Sequence, residues 1–480
     1  MPSPSPLELD QATMQRLGRL VADQVAAHLA GLRHHRVYTT ISRADAERLI
    51  ASPPPDTGRP VEELLGFLRE RVFPHHIPEP HPGFLAYVQS CPTFPAVLGD
   101  WLASGYNFFG GAWAVAGGPA MLEVTVLDWF RRWLGMPPEA GGLLTSGGST
   151  ANLMALVAAR HRAVGDVAAR LPRLTLYASE QSHSSVFRAA WIAGIPRANI
   201  RSLPVDDGFR LRLDALVAAL QDDRAAGAIP VAVVANAGTT NTGAVDPLPE
   251  LAALCRREGL WLHVDAAYGG FAVLAETGRR LLEGIGLADS VTLDPHKWLY
   301  VPFECGSLVV REPARLLDAF HILPDYLRDL GTGGGEVNFA DYGEQLSRSA
   351  RALKVWLGVA AYGTRALGQA IEESIGRADL ARRLVLEHPE LEALVPAQLG
   401  VFCFRAHPPG ARDPAALDRL NQAVLDAVNQ NGRFFLSTTR IRGALALRLC
   451  TCGWRTTDQD IRALIEEVAL AARTLASPPA

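Results

Sequence analysis

Lysine is nearly absent from this chain. Of 46 basic residues, only Lys297 and Lys354 are lysine, and the rest are arginine. An arginine guanidinium stays protonated in proteins and cannot act as an amine nucleophile, so any lysine chemistry has two possible seats. Cysteine is scarce too. The six are scattered, and only Cys450 and Cys452 lie close, as C-x-C, which is no familiar metal spacing. Reduced, mostly buried thiols are expected, and no metal site. His75, His76 and His81 match no zinc spacing either and sit among prolines. No uninterrupted apolar run is long enough to span a bilayer, and Met1 to Asp10 lacks the basic-then-apolar pattern of a leader. A cytoplasmic protein without membrane contact is the expectation. The formal net charge of -4 offers no basic surface for nucleic acid. There are no internal repeats, no Walker A loop and no G-x-G-x-x-G.

What is present is ordinary globular composition, 48% hydrophobic and 20% charged over 480 residues. At ~150 residues per domain this allows two or three domains with a substantial core. Leu7 to Leu32 reads as an amphipathic helix whose apolar stripe (Met14, Leu17, Val21, Val25) must dock on something, such as a second subunit. Pro53–Pro55 marks a linker, and Val61 to Val72 is a second amphipathic helix. From about Ser90 to Arg311, short β-rich runs alternate with helical stretches. The runs are Leu174–Ala178, Val231–Asn236, Trp261–Val264, Val291–Leu293 and Ser307–Val310. This is the α/β pattern of a parallel sheet wrapped by helices, in which ligands sit beyond the carboxyl ends of strands. Leu323 to Glu344 is polar and glycine-rich, a candidate lid. The remainder reads as a smaller α+β domain, with strands at Val401–Phe404 and Ala444–Leu449. The predicted division is 1–85, an N-terminal helical segment; 86–360, the large domain; and 361–480, the small C-terminal domain.

Most of the chemistry-bearing segments follow a strand. Lys297, in DPHKW, comes just after a short strand and is flanked by His296 and Trp298. A strand end is a rigid seat for a nucleophile, whereas Lys354 occupies an ordinary helical position. Asp265 ends the apolar run WLHVD. A carboxylate there needs a cationic partner, such as a pyridinium nitrogen, or else it caps the following turn. In TSGGSTANL, small residues let backbone N–H groups approach an anion, Ser149 and Thr150 add hydroxyls, and a helix begins. That makes a phosphate cradle or a plain N-cap. His183 could stack on a flat ring and touch a substrate carboxylate, or be a structural loop histidine. Thr239 and Thr240 offer hydroxyl donors after another strand.

Taken together, the stretches HPGFLAYV, TSGGSTANLMAL, SEQSHSSV, NAGTTNTGAVDPL, HVDAAYGG and DPHKW closely resemble the group II pyridoxal-phosphate decarboxylases, in the family's order and spacing. The resemblance is strong over about residues 60 to 360 and is most aromatic-L-amino-acid-decarboxylase-like. It implies fold type I, with a mostly parallel seven-stranded sheet between helices, and a homodimer whose sites lie near the subunit interface. It implies pyridoxal 5'-phosphate as cofactor, held as a Schiff base on Lys297 with Asp265 as pyridinium partner. It further implies His183 stacked on the ring, Gly148 and Ser149 on the phosphate, Thr239 on cofactor or substrate carboxylate, and Asp294 and His296 beside the cofactor. Tyr326 matches the loop tyrosine that protonates the α-carbon after CO2 leaves, and Tyr87, Ser90 and Phe109 fall near the substrate. Two positions depart from the animal aromatic enzymes: Asp294 replaces an asparagine, and Glu79 stands about where a pocket tryptophan is expected.

The expected reaction is decarboxylation of an L-amino acid, aromatic by the aromatic content of Tyr87, Phe108, Phe109 and Trp113. The rivals are an aldehyde synthase of the same family, a glutamate or aspartate decarboxylase, a fold type I aminotransferase, and a non-enzymatic scaffold. Retention of both Tyr326 and His183 favours simple decarboxylation over the aldehyde synthase.

Overall fold

The computed structural model describes residues 5, 7–322 and 334–476. A seven-stranded sheet forms the centre of the large domain. Its strands are β1 (Gly141–Thr145), β2 (Leu174–Ser179), β3 (Ile200–Leu203), β4 (Ile229–Asn236), β5 (Trp261–Asp265), β6 (Ser290–Leu293) and β7 (Gly306–Val310), in the order β1-β7-β6-β5-β4-β2-β3. All pairs are parallel except those of β7, which runs against both β1 and β6. Every residue of β2, β5, β6 and β7 is buried, as a sheet covered by helices on both faces requires.

The five runs read from the sequence appear as β2, β4, β5, β6 and β7, each within two residues. Two strands, β1 and β3, carry no such signal. β1 begins Gly141-Gly142, poor in strand-forming residues, yet glycine is demanded there: a Cβ on Gly142 would lie 1.8 Å from the Leu308 carbonyl oxygen. The helix Trp113–Leu134 escapes the periodicity because Gly117, Gly118 and Pro119 interrupt it, and Ala116 (φ -142, ψ 48) kinks it.

The small domain has a four-stranded antiparallel sheet of β8 (Leu391–Ala393), β9 (Val401–Ala406), β10 (Ser437–Ile441) and β11 (Ala444–Cys450), ordered β10-β11-β9-β8. Phe402, Phe404, Leu447 and Leu449 pack there against Val424 of helix Pro414–Asn431 and Leu464 and Ile465 of helix Asp458–Ala476. One long helix, Ala352–Glu387, joins the two domains and breaks at Gly363 (φ 72, ψ 160). Its first turn pairs with the large domain through Lys354 Nζ to Asp100, 2.9 Å.

The N-terminal helix Gln11–Gly31 is capped by the Asp10 carboxylate, which accepts from the Thr13 N–H at 2.8 Å. It buries no residue in the single chain. Beyond it the chain ties to its own small domain through Arg33 and Asp460, 2.8 Å. Among the described residues no helix is long and apolar enough to cross a membrane.

Candidate active site

Strand register sets the floor of the site. Asn236, Asp265 and Thr292 are direct neighbours at the ends of β4, β5 and β6. Asp265 is buried, and Oδ2 accepts from Asn152 Nδ2 at 2.9 Å while Oδ1 accepts from the Ala267 N–H at 3.2 Å. The Asn152 amide also donates to Ser185 Oγ at 3.1 Å, so its oxygen faces the other way. That oxygen takes Thr292 Oγ1 at 2.8 Å and His263 Nε2 at 2.9 Å. His263 Nδ1 lies 2.8 Å from Ser290 Oγ, which itself accepts from Trp261 Nε1 at 2.8 Å. Only one assignment satisfies every atom: Trp261 donates to Ser290, Ser290 to His263 Nδ1, and His263 Nε2–H to Asn152. Burial pushes the imidazole of His263 down to about 4, so it is neutral, in agreement with that assignment. The network presents Asp265 to the cavity as an acceptor.

Above this floor stands Lys297, in a short helical turn Pro295–Trp298 that follows β6. Its Nζ is 3.0 Å from Asp294 Oδ2. Desolvation works to lower the Lys297 pKa, but the charge and hydrogen bond of Asp294 and the charge of Asp265 outweigh it, and the net shift is upward. His296 donates from Nδ1 to the Cys305 carbonyl at 2.7 Å, and its Nε2 lies 3.7 Å from Asp294 Oδ2. Burial lowers its pKa, outweighing the charge of Asp294.

The loop after β1 delivers the start of helix Gly148–Val164 to the same place. Its close seat depends on glycine. A Cβ on Gly148 would meet Ala267 Cβ at 2.9 Å and Asp294 Oδ2 at 3.0 Å, and one on Gly306 would meet Gly147 Cα at 2.5 Å. The Ser146 and Thr150 hydroxyls pair at 3.0 Å beside the N–H groups of Gly148 and Ser149, while those of Thr150 and Ala151 donate to the Gly147 carbonyl. His183 caps helix Ser184–Ile192, with Nδ1 2.8 Å from Ser185 Oγ. It stands exposed at the mouth, yet surrounding protein desolvates it enough to lower its pKa.

Gly148, Ser149, His183, Asp265, Asp294, His296 and Lys297 thus converge on one cavity of about 320 Å³. Thr150 and Thr240 line it as well, whereas Thr239, Ser90, Tyr87 and Phe109 do not. Thr239 turns its hydroxyl to Thr242 Oγ1 (2.9 Å) and the Ala244 N–H (3.1 Å), and Thr240 reaches the cavity instead. Ser90 is buried, donating its hydroxyl to the Val301 carbonyl (3.3 Å) and its N–H to Glu79 (2.8 Å), whose pKa burial raises. Tyr87, at φ 50, packs on Phe435. Phe109 lines a second cavity of about 520 Å³ with Asp100 and Arg351. Tyr326 lies outside the described residues. Sequence reading did not single out Asn152, His263, Glu304 or Arg448. Arg448 ties the Thr240 carbonyl (2.6 Å) to that of Tyr87 (2.6 Å) across the domain junction. Only His263 had a signal, two residues before Asp265 and so on the same strand face.

A fold type I sheet with a lysine and a buried aspartate at its strand ends defines a class, the pyridoxal-phosphate enzymes. The chain belongs to one family of them: residues 45–407 match the pyridoxal-dependent decarboxylase conserved domain. It is 37% identical to the aromatic-L-amino-acid decarboxylase of Bacillus atrophaeus over 97% of this chain and 98% of that one. It is 31% identical to the phenylacetaldehyde synthase of Arabidopsis thaliana over 94% of each. Among solved structures it superposes on Oryza sativa TDC with PLP and tryptamine at a TM-score of 0.94, 28% identical over 99% of this chain and all of that one. The chain is therefore a pyridoxal-phosphate-dependent carboxy-lyase. Its residues fit that cofactor: an acceptor carboxylate for a ring N–H, an amine for an aldehyde, and a glycine-bounded helix start for a phosphate.

Proposed function

We propose that this protein converts aromatic L-amino acids to their amines and CO2, working as a homodimer with pyridoxal phosphate bound through Lys297. The observation that carries this is the convergence of Lys297 Nζ, Asp265 and the start of helix Gly148–Val164 on one cavity. The aromatic substrate class is supported by the name of the Bacillus relative and by the tryptamine in the rice structure. When bound, pyridoxal phosphate supplies an electron sink for negative charge at the α-carbon. This chain's residues do the rest. Asp265, held by Asn152, would pair with the pyridine N–H and keep it protonated. The N–H groups at Gly148 and Ser149 take the phosphate. His183, at the mouth, would cover the ring, and His296 supports the turn that carries Lys297. Tyr326, which lies outside the described residues, would bring a proton to the α-carbon.

The dimer is supported by the apolar face of helices Phe94–Tyr106 and Trp113–Leu134. It leaves Tyr106 72% and Val115 62% exposed, with Trp101, Leu102 and Met121 beside them. Phe109 and Tyr87, which do not line the cavity of their own chain, would meet substrate across that interface.

Replacing Lys297 with Ala tests the reading. Wild-type protein mixed with pyridoxal phosphate gains an absorbance band near the visible edge and releases amine; the variant has neither. Retention of band and activity would falsify the assignment.

A further inference from the structure

Asp294 occupies an unusual position in the cavity. Its carboxyl is 3% exposed, and Oδ1 has no hydrogen-bond partner. Oδ2 holds the Lys297 ammonium at 3.0 Å. Both oxygens abut the first residue of the helix, at 3.0 and 3.3 Å from where a Gly148 Cβ would stand. An anion bound at that helix start would share a desolvated space with this carboxylate. A phosphate dianion and a carboxylate beside one ammonium leave two negative charges uncompensated. Like charges at such range do not both persist; one takes up a proton, and with the dianion held by the N–H groups and field of the helix start, the carboxylate with its unpartnered Oδ1 is the one that does. Of the further cations on this side, Lys354 is paired with Asp100 at 2.9 Å and Arg351 donates to Gln345 at 3.1 Å. Burial lowers the pKa values of His183 and His296, away from the charged form, and pushes the Cys305 thiol up to about 12, while Asp265 and Glu304 bring no positive charge.

We propose that Asp294 binds the cofactor phosphate as a carboxylic acid, so that loading the site takes up one proton from solvent. The proton sits on the otherwise unpartnered Oδ1 and makes it a donor to a phosphoryl oxygen. An asparagine at this position would donate from its amide with no proton required. The inference rests on the reading of the Gly148 loop as the phosphate cradle.

The test uses the full-length chain stripped of cofactor, titrated calorimetrically with pyridoxine 5'-phosphate. That ligand has an alcohol where pyridoxal phosphate has its aldehyde, so Lys297 forms no bond to it. Titrations run from pH 7 to 9, where a phosphate ester is a dianion and the histidines stay neutral, in two buffers of different ionisation enthalpy. The expected result is an uptake of about one proton per site, with affinity falling about tenfold per pH unit. Asp294→Asn should take up none, keep a flat affinity over that range, and bind at least about tenfold tighter than wild type at pH 9. Wild-type binding without proton uptake and without a pH slope overturns the inference and leaves the cradle standing. No binding by either protein removes the cradle and the inference together. Should the variant not fold, the wild-type proton count and slope decide alone.

Discussion

At the scale of single residues, Lys297 is a selected position in a chain with almost no other amine. Its partner Asp294 and neighbour His296 lie within the same five-residue stretch, and Asp265 ends a strand whose sequence reads buried throughout. These were legible because their role follows from local context: a strand end, a turn, a costly carboxylate. Asn152 was not legible. It reaches Asp265 and His263 across 113 and 111 positions of chain, and nothing within its own helix distinguishes it from a plain polar residue. Tyr326 was legible only by resemblance. On its proposed role, Tyr326→Phe removes the proton donor without changing the ring's bulk. Turnover should divert from amine toward aldehyde and ammonia, read by product analysis under air, and an unchanged amine yield would remove the role.

At the scale of elements, β5 carries chemistry on one face through an i, i+2 pair, His263 and Asp265. The histidine fixes the hydrogen-bond direction that presents the aspartate through its Nε2–H, and only while neutral does its Nδ1 accept from Ser290. Its folded pKa of about 4 lies below the ordinary 6.5, so the unfolded chain binds the extra proton between those values. The stability it contributes is full above about pH 6.5 and falls by about 1.4 kcal/mol per pH unit down to about pH 4. Replacing His263 with Gln keeps an N–H aimed at Asn152 and removes the titration. Urea midpoints at pH 7 and pH 4.5 should therefore lie closer together in the variant than in wild type; an equal spacing would show that His263 does not titrate on unfolding. β1, missed in the sequence, was invisible for a physical reason. β1 is chosen by how closely its backbone must approach β7, a demand set by tertiary packing and not by β propensity.

At the scale of the whole molecule, the large domain is locked by an ion pair that no local pattern announces. Arg348 and Glu123 are almost wholly buried, 225 positions apart, and joined at 2.7 and 3.0 Å. Arg348 also donates to the Gly110 carbonyl at 3.1 Å and to the Leu144 carbonyl, and Glu123 accepts from the Leu144 N–H at 2.8 Å. The pair fixes β1, and so the loop that follows it, against the segment leading into the long helix. Removing one partner strands the other charge in the core. Arg348→Ala should lower stability by about 3–5 kcal/mol, seen as an earlier denaturation midpoint, while Arg348→Met with Glu123→Leu should recover much of it. A midpoint unmoved by the single change would show the pair to be dispensable.

The same scale holds the question of what the assembled molecule does. The alternating strands and helices made the α/β class readable from sequence, and the motifs made the family readable, but the substrate side chain is written in surfaces brought together by the fold and by a partner subunit. The most direct measurement is the release of CO2 and amine by the purified protein with added pyridoxal phosphate, across the common L-amino acids and L-dopa. Equal amounts of amine and CO2 from tryptophan, tyrosine, phenylalanine or dopa, and none from glutamate, is the predicted result. A keto acid without CO2, or aldehyde in place of amine, would contradict it.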